Sequence, residues 1–161
     1  MTFFECFPDE SFLKSIGFTS GQLSGGHSLG RSKVCGKLRN STNSLALIDE
    51  DPFSAQDPYL KYLLSLRPSY KDPYLICVKD AQRNNKLIVL RPDLEQLCMK
   101  LARESNVKLS SSKYSLPESW EDLHEVLTLK KNVEKRKKFI EFIRDVSTHN
   151  AIMRIKEFIN N

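Results

Sequence analysis

The feature that most limits how this chain folds is the run Ser44-Leu45-Ala46-Leu47-Ile48, apolar from its second residue on and cut off by Asp49-Glu50-Asp51-Pro52. Unbroken apolar character over so short a run describes a buried strand, and proline forbids its continuation. The flanking sequence supplies further strands and helices. Thr2 to Phe7 is rich in β-formers, and Pro8 with Asp9-Glu10-Ser11 then leads into a helix over Ser11 to Ile16 that ends at Gly17. Gly21, Gly25, Gly26 and Gly30 mark residues 19–30 as a loop, followed by a short helical pattern from Ser32 through Leu38. After the buried strand come a short helix from Pro58 to Ser65 and two strands, Tyr74 to Lys79 and Lys86 to Leu90. The polar turn Asp80-Ala81-Gln82-Arg83-Asn84-Asn85 joins these as a hairpin. Leu94, Leu97, Cys98 and Leu101 recur at helical spacing behind Pro92, and three more helices are expected: through Leu127, over Asn132 to about Ser147, and over Ala151 to Ile159. Trp120 is expected to anchor the first of these in the core. The expected class is α/β, a short mixed sheet flanked by helices, with residues 1–106 as an α/β domain and 107–161 as a helical C-terminal extension packed on it.

Composition enters as a set of exclusions. A chain of 161 residues that is 40% hydrophobic and 28% charged is neither disordered nor fibrous. Its apolar runs fall far short of the roughly 20 residues that cross a bilayer, and Met1-Thr2-Phe3-Phe4-Glu5 lacks the basic start of a signal peptide. The expectation is therefore a cytoplasmic protein with no membrane partner. Cys6, Cys35, Cys77 and Cys98 are scattered without a CxxC pair and read as free thiols. The net charge of +5 is unevenly placed, with Lys130, Lys131, Lys135, Arg136, Lys137 and Lys138 gathered around a single Glu134. Such a run is either a solvated helix face or a surface for phosphate backbones.

The acidic residues carry the chemistry. One strand ends at Glu5 with Asp9 four residues on, and the buried strand ends at Asp49-x-Asp51. If the two strands are parallel neighbours, their acids converge at the carboxyl ends where open α/β sheets bind ligands. Clustered carboxylates resist joint ionisation, and an all-oxygen site suits Mg²⁺ or Mn²⁺, with metal-assisted phosphoryl transfer as the corresponding chemistry. Taken singly, Asp49, Glu50 and Asp51 also fit a strand-terminating turn, and Asp9 fits a helix cap. His27-Ser28-Leu29-Gly30-Arg31-Ser32-Lys33 opens a helix between the acidic strand ends, so Arg31, Lys33 and Lys37 are phosphate-binding candidates or an incidentally charged loop and helix. His124, among Leu123, Val126 and Leu127, is read as a packed or half-exposed histidine rather than a ligand.

Phe4-Glu5-Cys6-Phe7-Pro8-Asp9-Glu10-Ser11-Phe12-Leu13 resembles the opening of Toprim domains of the overcoming-lysogenization-defect type, and Leu47-Ile48-Asp49-Glu50-Asp51-Pro52 is similar to their second motif. Arg91-Pro92-Asp93-Leu94-Glu95 is similar to a strand-to-helix element of small Toprim-like proteins in which an acid faces the same site. The resemblance spans about residues 2–106. It implies Glu5 as metal ligand or general base, Asp49 and Asp51 as metal ligands, Asp9 as an outer or second-metal ligand, and Glu95, then Asp93, as a further acid of the site. Cys6 stands where many Toprim domains have glycine.

Three functions follow as expectations. The first is a divalent-metal nuclease, with Glu5, Asp49 and Asp51 catalytic and Arg31, Lys33, Lys37, Lys135, Arg136 and Lys138 guiding DNA or RNA, transfer RNA included. The resemblance adds an ABC-type ATPase partner and anti-phage defence. The second is a catalytically weak Toprim-like subunit that docks a protein through its C-terminal helices. A nucleic-acid binder that cleaves nothing is a third.

Overall fold

The computed structural model describes residues 1–50 and 57–161. In chain order these form β1 (Thr2–Phe3), α1 (Phe7–Ser15), α2 (Ser20–Leu23), α3 (Arg31–Arg39), β2 (Leu45–Asp49), α4 (Pro58–Ser65), β3 (Tyr70–Lys71), β4 (Leu75–Asp80), β5 (Asn85–Leu90), α5 (Leu94–Glu104), α6 (Trp120–Thr128), α7 (Val133–Asp145) and α8 (Asn150–Asn160). The strands make one mixed sheet in the order β1-β2-β5-β4-β3. β1, β2 and β5 run parallel, β4 returns antiparallel beside β5, and β3 continues antiparallel to the edge. The α/β class and the mixed, helix-flanked sheet expected from the sequence are both present.

Burial on two faces explains the unbroken apolar run. Successive side chains of a strand point to opposite faces. Leu45 and Leu47 join Leu75, Cys77, Ile88 and Leu90 in a core closed by α1, α5, α6, α7 and α8. Ala46 and Ile48 join Phe3, Val78, Leu87 and Val89 beneath α3 and α4. The first core draws on both ends of the chain: Leu123, Phe139, Phe142 and Ile152 lie in the same cluster as Leu47 and Ile88. Each such fully enclosed Phe or Leu contributes about 1.5–3 kcal/mol of transfer free energy, so the C-terminal helices are a working part of the sheet's cover.

Four local differences from the sequence reading have physical causes. β1 ends at Phe3 because Asp9 takes the backbone N–H groups of Glu5 and Cys6 at 3.0 and 3.1 Å, turning the chain and starting α1 at Phe7 rather than Ser11. Within the expected loop, Thr19 and Gln22 form a reciprocal capping box that supports the single turn of α2. β3 extends the hairpin by a two-residue strand that no periodicity announces. Trp120 is 43% exposed at the first position of α6, and Leu123 and Leu127 anchor that helix instead. The four cysteines are free, as expected, with Cys35, Cys77 and Cys98 buried. Among the described residues no helix is long and apolar enough to cross a membrane.

Candidate functional site

Parallel alignment brings the carboxyl ends of β1, β2 and β5 to one edge, and α1 and α5 begin there. Phe3 pairs with Ala46, and Asp49 pairs with Leu90. Glu5, two residues beyond β1, therefore arrives beside Asp49, whose N–H donates to Glu5 Oε1 at 3.4 Å. Asp9, 1% exposed, sits in the first turn of α1. Its Oδ2 accepts the Glu5 and Cys6 N–H groups and the Cys6 thiol, the last at 3.3 Å. Its Oδ1 has no partner, and it is the one buried side-chain polar atom so placed among the described residues.

The first turn of α5 closes the other side. Asp93 caps the helix by accepting the Gln96 N–H at 2.8 Å, which fixes where α5 starts. Leu94 N–H then donates to Asp49 Oδ1 at 3.0 Å. Glu95, 3% exposed, follows in the same turn, with Oε1 3.0 Å from Nδ1 of His124 on α6. Glu50 turns to Arg91 instead, at 2.9 Å, and stands apart from this group. Asp51 lies outside the described residues.

Burial is the largest influence on these acids, and it raises Asp9, Asp49 and Glu95 above the ordinary carboxylate range. Like charge adds to it: Glu5 raises Asp9, while Asp9, Glu95, Glu5 and Asp93 all raise Asp49. His124 works against burial at Glu95. Burial, then the Asp9 charge, also pushes the Cys6 thiol up, keeping it a donor rather than a nucleophile. Burial and mutual repulsion thus make Asp9 and Asp49 costly to ionise together.

That cost is what a divalent cation relieves. Among the described residues no three His, Cys, Asp or Glu side chains are grouped as a ready-made cage. Mg²⁺ is commonly held by one or two carboxylates plus waters and substrate phosphate rather than by a full protein shell. Glu5 and Asp49 side by side, with the unsatisfied Asp9 Oδ1 and the like charges that raise Asp49, fit that donor set in chemistry and charge.

Lys37, Lys135, Arg136 and Lys138 have partners within the chain. Lys37 Nζ donates to the Gly25 and His27 carbonyls at 3.2 and 3.4 Å. Lys135 donates to the Ser115 carbonyl, and Lys138 pairs with Glu141 at 3.0 Å. Arg136 donates to the Leu127, Leu129 and Lys130 carbonyls at the end of α6, and its guanidinium lies 5.1 Å from the Phe7 ring centre. α7 is thereby pinned beside the first turn of α1. Arg31 and Lys33 stand in the first turn of α3.

Comparison with family models, curated proteins and solved structures gives no match for this chain. The site rests on its own geometry. Sequence reasoning missed His124 as a member: its partner Glu95 is 29 residues away, and neither residue carries a local signal for the other.

Proposed function

We propose that this edge is the metal-dependent active site of a nuclease that cleaves phosphodiester bonds in DNA or RNA. The observation that carries the reading is the convergence of Glu5, Asp9, Asp49 and Glu95 where the parallel strands end, with Asp9 Oδ1 buried and unsatisfied. The likeness of the Glu5 and Asp49–Asp51 segments to Toprim motifs supports the same roles, with Mg²⁺ or Mn²⁺ as the ion. A bound divalent ion supplies Lewis-acid polarisation and countercharge for a phosphoryl oxygen.

The chain's own residues do the positioning. Glu5 and Asp49 present their oxygens from adjacent strand ends. Leu94 N–H holds one Asp49 oxygen, and His124 holds Glu95, so neither acid swings away. Asp9 fixes the turn that aims Glu5. The Toprim resemblance further supports a place beside an ABC-type ATPase in anti-phage defence. A second reading, a Toprim-like docking subunit without strong catalysis, draws on the hydrogen bonds that Asp9, Asp49 and Glu95 already make within the chain.

Cleavage of plasmid DNA and bulk transfer RNA, with Mg²⁺ or Mn²⁺ and with EDTA, tests the proposal. Metal-dependent cleavage should fall by about 100-fold or more in Asp49→Ala, the scale of losing a transition-state electrostatic partner. Cleavage unchanged by Asp49→Ala removes the acidic edge as its source. A folded protein that neither binds metal nor cleaves leaves the docking reading.

A further inference from the structure

His27 is an exposed ring in a rigid backbone setting. It bridges Phe4 in parallel at the carboxyl end of β1, flanked by hydrogen bonds from Phe4 N–H to Gly26 O at 3.2 Å and from Ser28 N–H to Phe4 O at 2.9 Å. A side chain at Gly26 would put its Cβ 1.9 Å from the Thr2 carbonyl, so this segment lies closer to β1 than any other residue allows. Lys37 Nζ ties down the carbonyls on both sides of Gly26.

The imidazole so held stacks on Phe4, with ring centres 5.7 Å apart and planes 11° from parallel. It also meets Phe7 at 5.3 Å, and Arg136 lies over the same Phe7 ring at 5.1 Å. Phe4 immediately precedes Glu5, and Phe7 follows it by two residues. A row of aromatic and guanidinium planes, Phe4, His27, Phe7 and Arg136, with the exposed His27 between the two phenylalanines, therefore borders the acidic edge.

We propose that this row is a stacking platform for an unpaired nucleobase, and that the substrate of the acidic edge is single-stranded nucleic acid or a single-stranded loop. The inference rests on the nuclease reading above. Aromatic rings and Arg planes recognise splayed-out bases because every base has a π-face, and a continuous duplex keeps those faces stacked on one another. A base resting on His27 brings its flanking phosphates toward Glu5, since Phe4, which stacks on His27, adjoins Glu5 in the chain.

Fluorescence anisotropy of labelled oligothymidine, oligouridine and a matched duplex, all in EDTA so that nothing is cleaved, tests the platform. Both single strands should bind more tightly than the duplex. His27→Ala should weaken single-strand binding about tenfold, the scale of one lost base–aromatic stack, without changing duplex binding. His27→Phe should bind as wild type does. An abasic strand offered to the wild-type protein should show a similar tenfold loss, which reads the same contact even if His27→Ala melts early. Equal affinity for single strand and duplex, an abasic strand bound as tightly as an intact one, or no binding to either ligand overturns the platform. Mn²⁺ calorimetry on the same preparation reads the acidic edge separately. Metal binding without strand preference refutes only the platform, and strand preference without metal binding refutes only the nuclease.

Discussion

Asp9 divides its carboxylate between two jobs: one oxygen holds the turn that aims Glu5, and the other is buried without a partner. These are separable by substitution. Asp9→Asn keeps an acceptor for the Glu5 and Cys6 N–H groups and removes a charge that Glu5 and Asp49 both oppose. Its metal-free form should melt a few degrees higher, about 1 kcal/mol at this chain length, while Mn²⁺ affinity falls. Asp9→Ala loses the turn as well and should cost about 1–3 kcal/mol by leaving backbone donors unsatisfied. Thermal melts in EDTA and Mn²⁺ titrations check both, and equal destabilisation by the two variants would show that the unpartnered oxygen carries no cost. At this scale the sequence was informative wherever strand ends supplied the geometry. Glu5 and Asp49 were legible because a parallel pair delivers strand-terminal residues to one edge. His124 was not, because its meeting with Glu95 depends on how α6 lies across α5. The paired state of Lys37, Lys135 and Lys138 was equally invisible, since a solvated lysine and one donating to a carbonyl look alike in a string of residues.

Elements were legible in proportion to their period and length. β2, the β4–β5 hairpin and helices α5, α7 and α8 follow the apolar patterns that announced them. β1 was overestimated because β-rich composition says nothing of a capping side chain arriving from the next turn. α2 had a usable signal, Thr19 followed three residues later by Gln22, which the surrounding glycines outweighed. The junction of α6 and α7 is the element-scale feature that matters most for the site. One guanidinium, Arg136, donates to the Leu127, Leu129 and Lys130 carbonyls at 3.3, 2.7 and 3.0 Å, at and just beyond the end of α6. Lysine has the charge but not the planar fork. Arg136→Lys should therefore lower stability by about 0.5–1.5 kcal/mol, the net worth of hydrogen bonds that the fork makes and an ammonium does not. In urea this appears as a lower midpoint with an unchanged slope. A midpoint equal to wild type would mean that water serves those carbonyls as well as the guanidinium does.

The whole molecule carries the consequence of gathering acids at one buried edge. Burial, followed by repulsion from neighbouring acids, raises Asp9 to about 7 and Asp49 to about 9 in the folded chain, whereas in the unfolded chain both ionise near pH 4. Between these limits the folded state holds more protons than the unfolded one, so stability must fall as pH rises. Asp145 and Glu118 act in the opposite sense, lowered by Lys113 and by the Ser110 N–H respectively, and would add stability above pH 4. Both are solvent-exposed, where screening leaves such contacts little weight. The buried pair should dominate: in EDTA the urea midpoint is expected to drop from pH 5 to pH 8. Carboxylates must lose their protons to take a cation, so Mn²⁺ should bind more tightly at pH 8 than at pH 5, and it stabilises only the state it binds. Saturating Mn²⁺ should therefore restore much of the midpoint lost at pH 8 and change little at pH 5. A midpoint that is flat or rising between pH 5 and pH 8 in EDTA would mean that the two acids are ionised and compensated within the fold. The edge would then have no need of a cation, and the case for a metal-dependent nuclease would go with it.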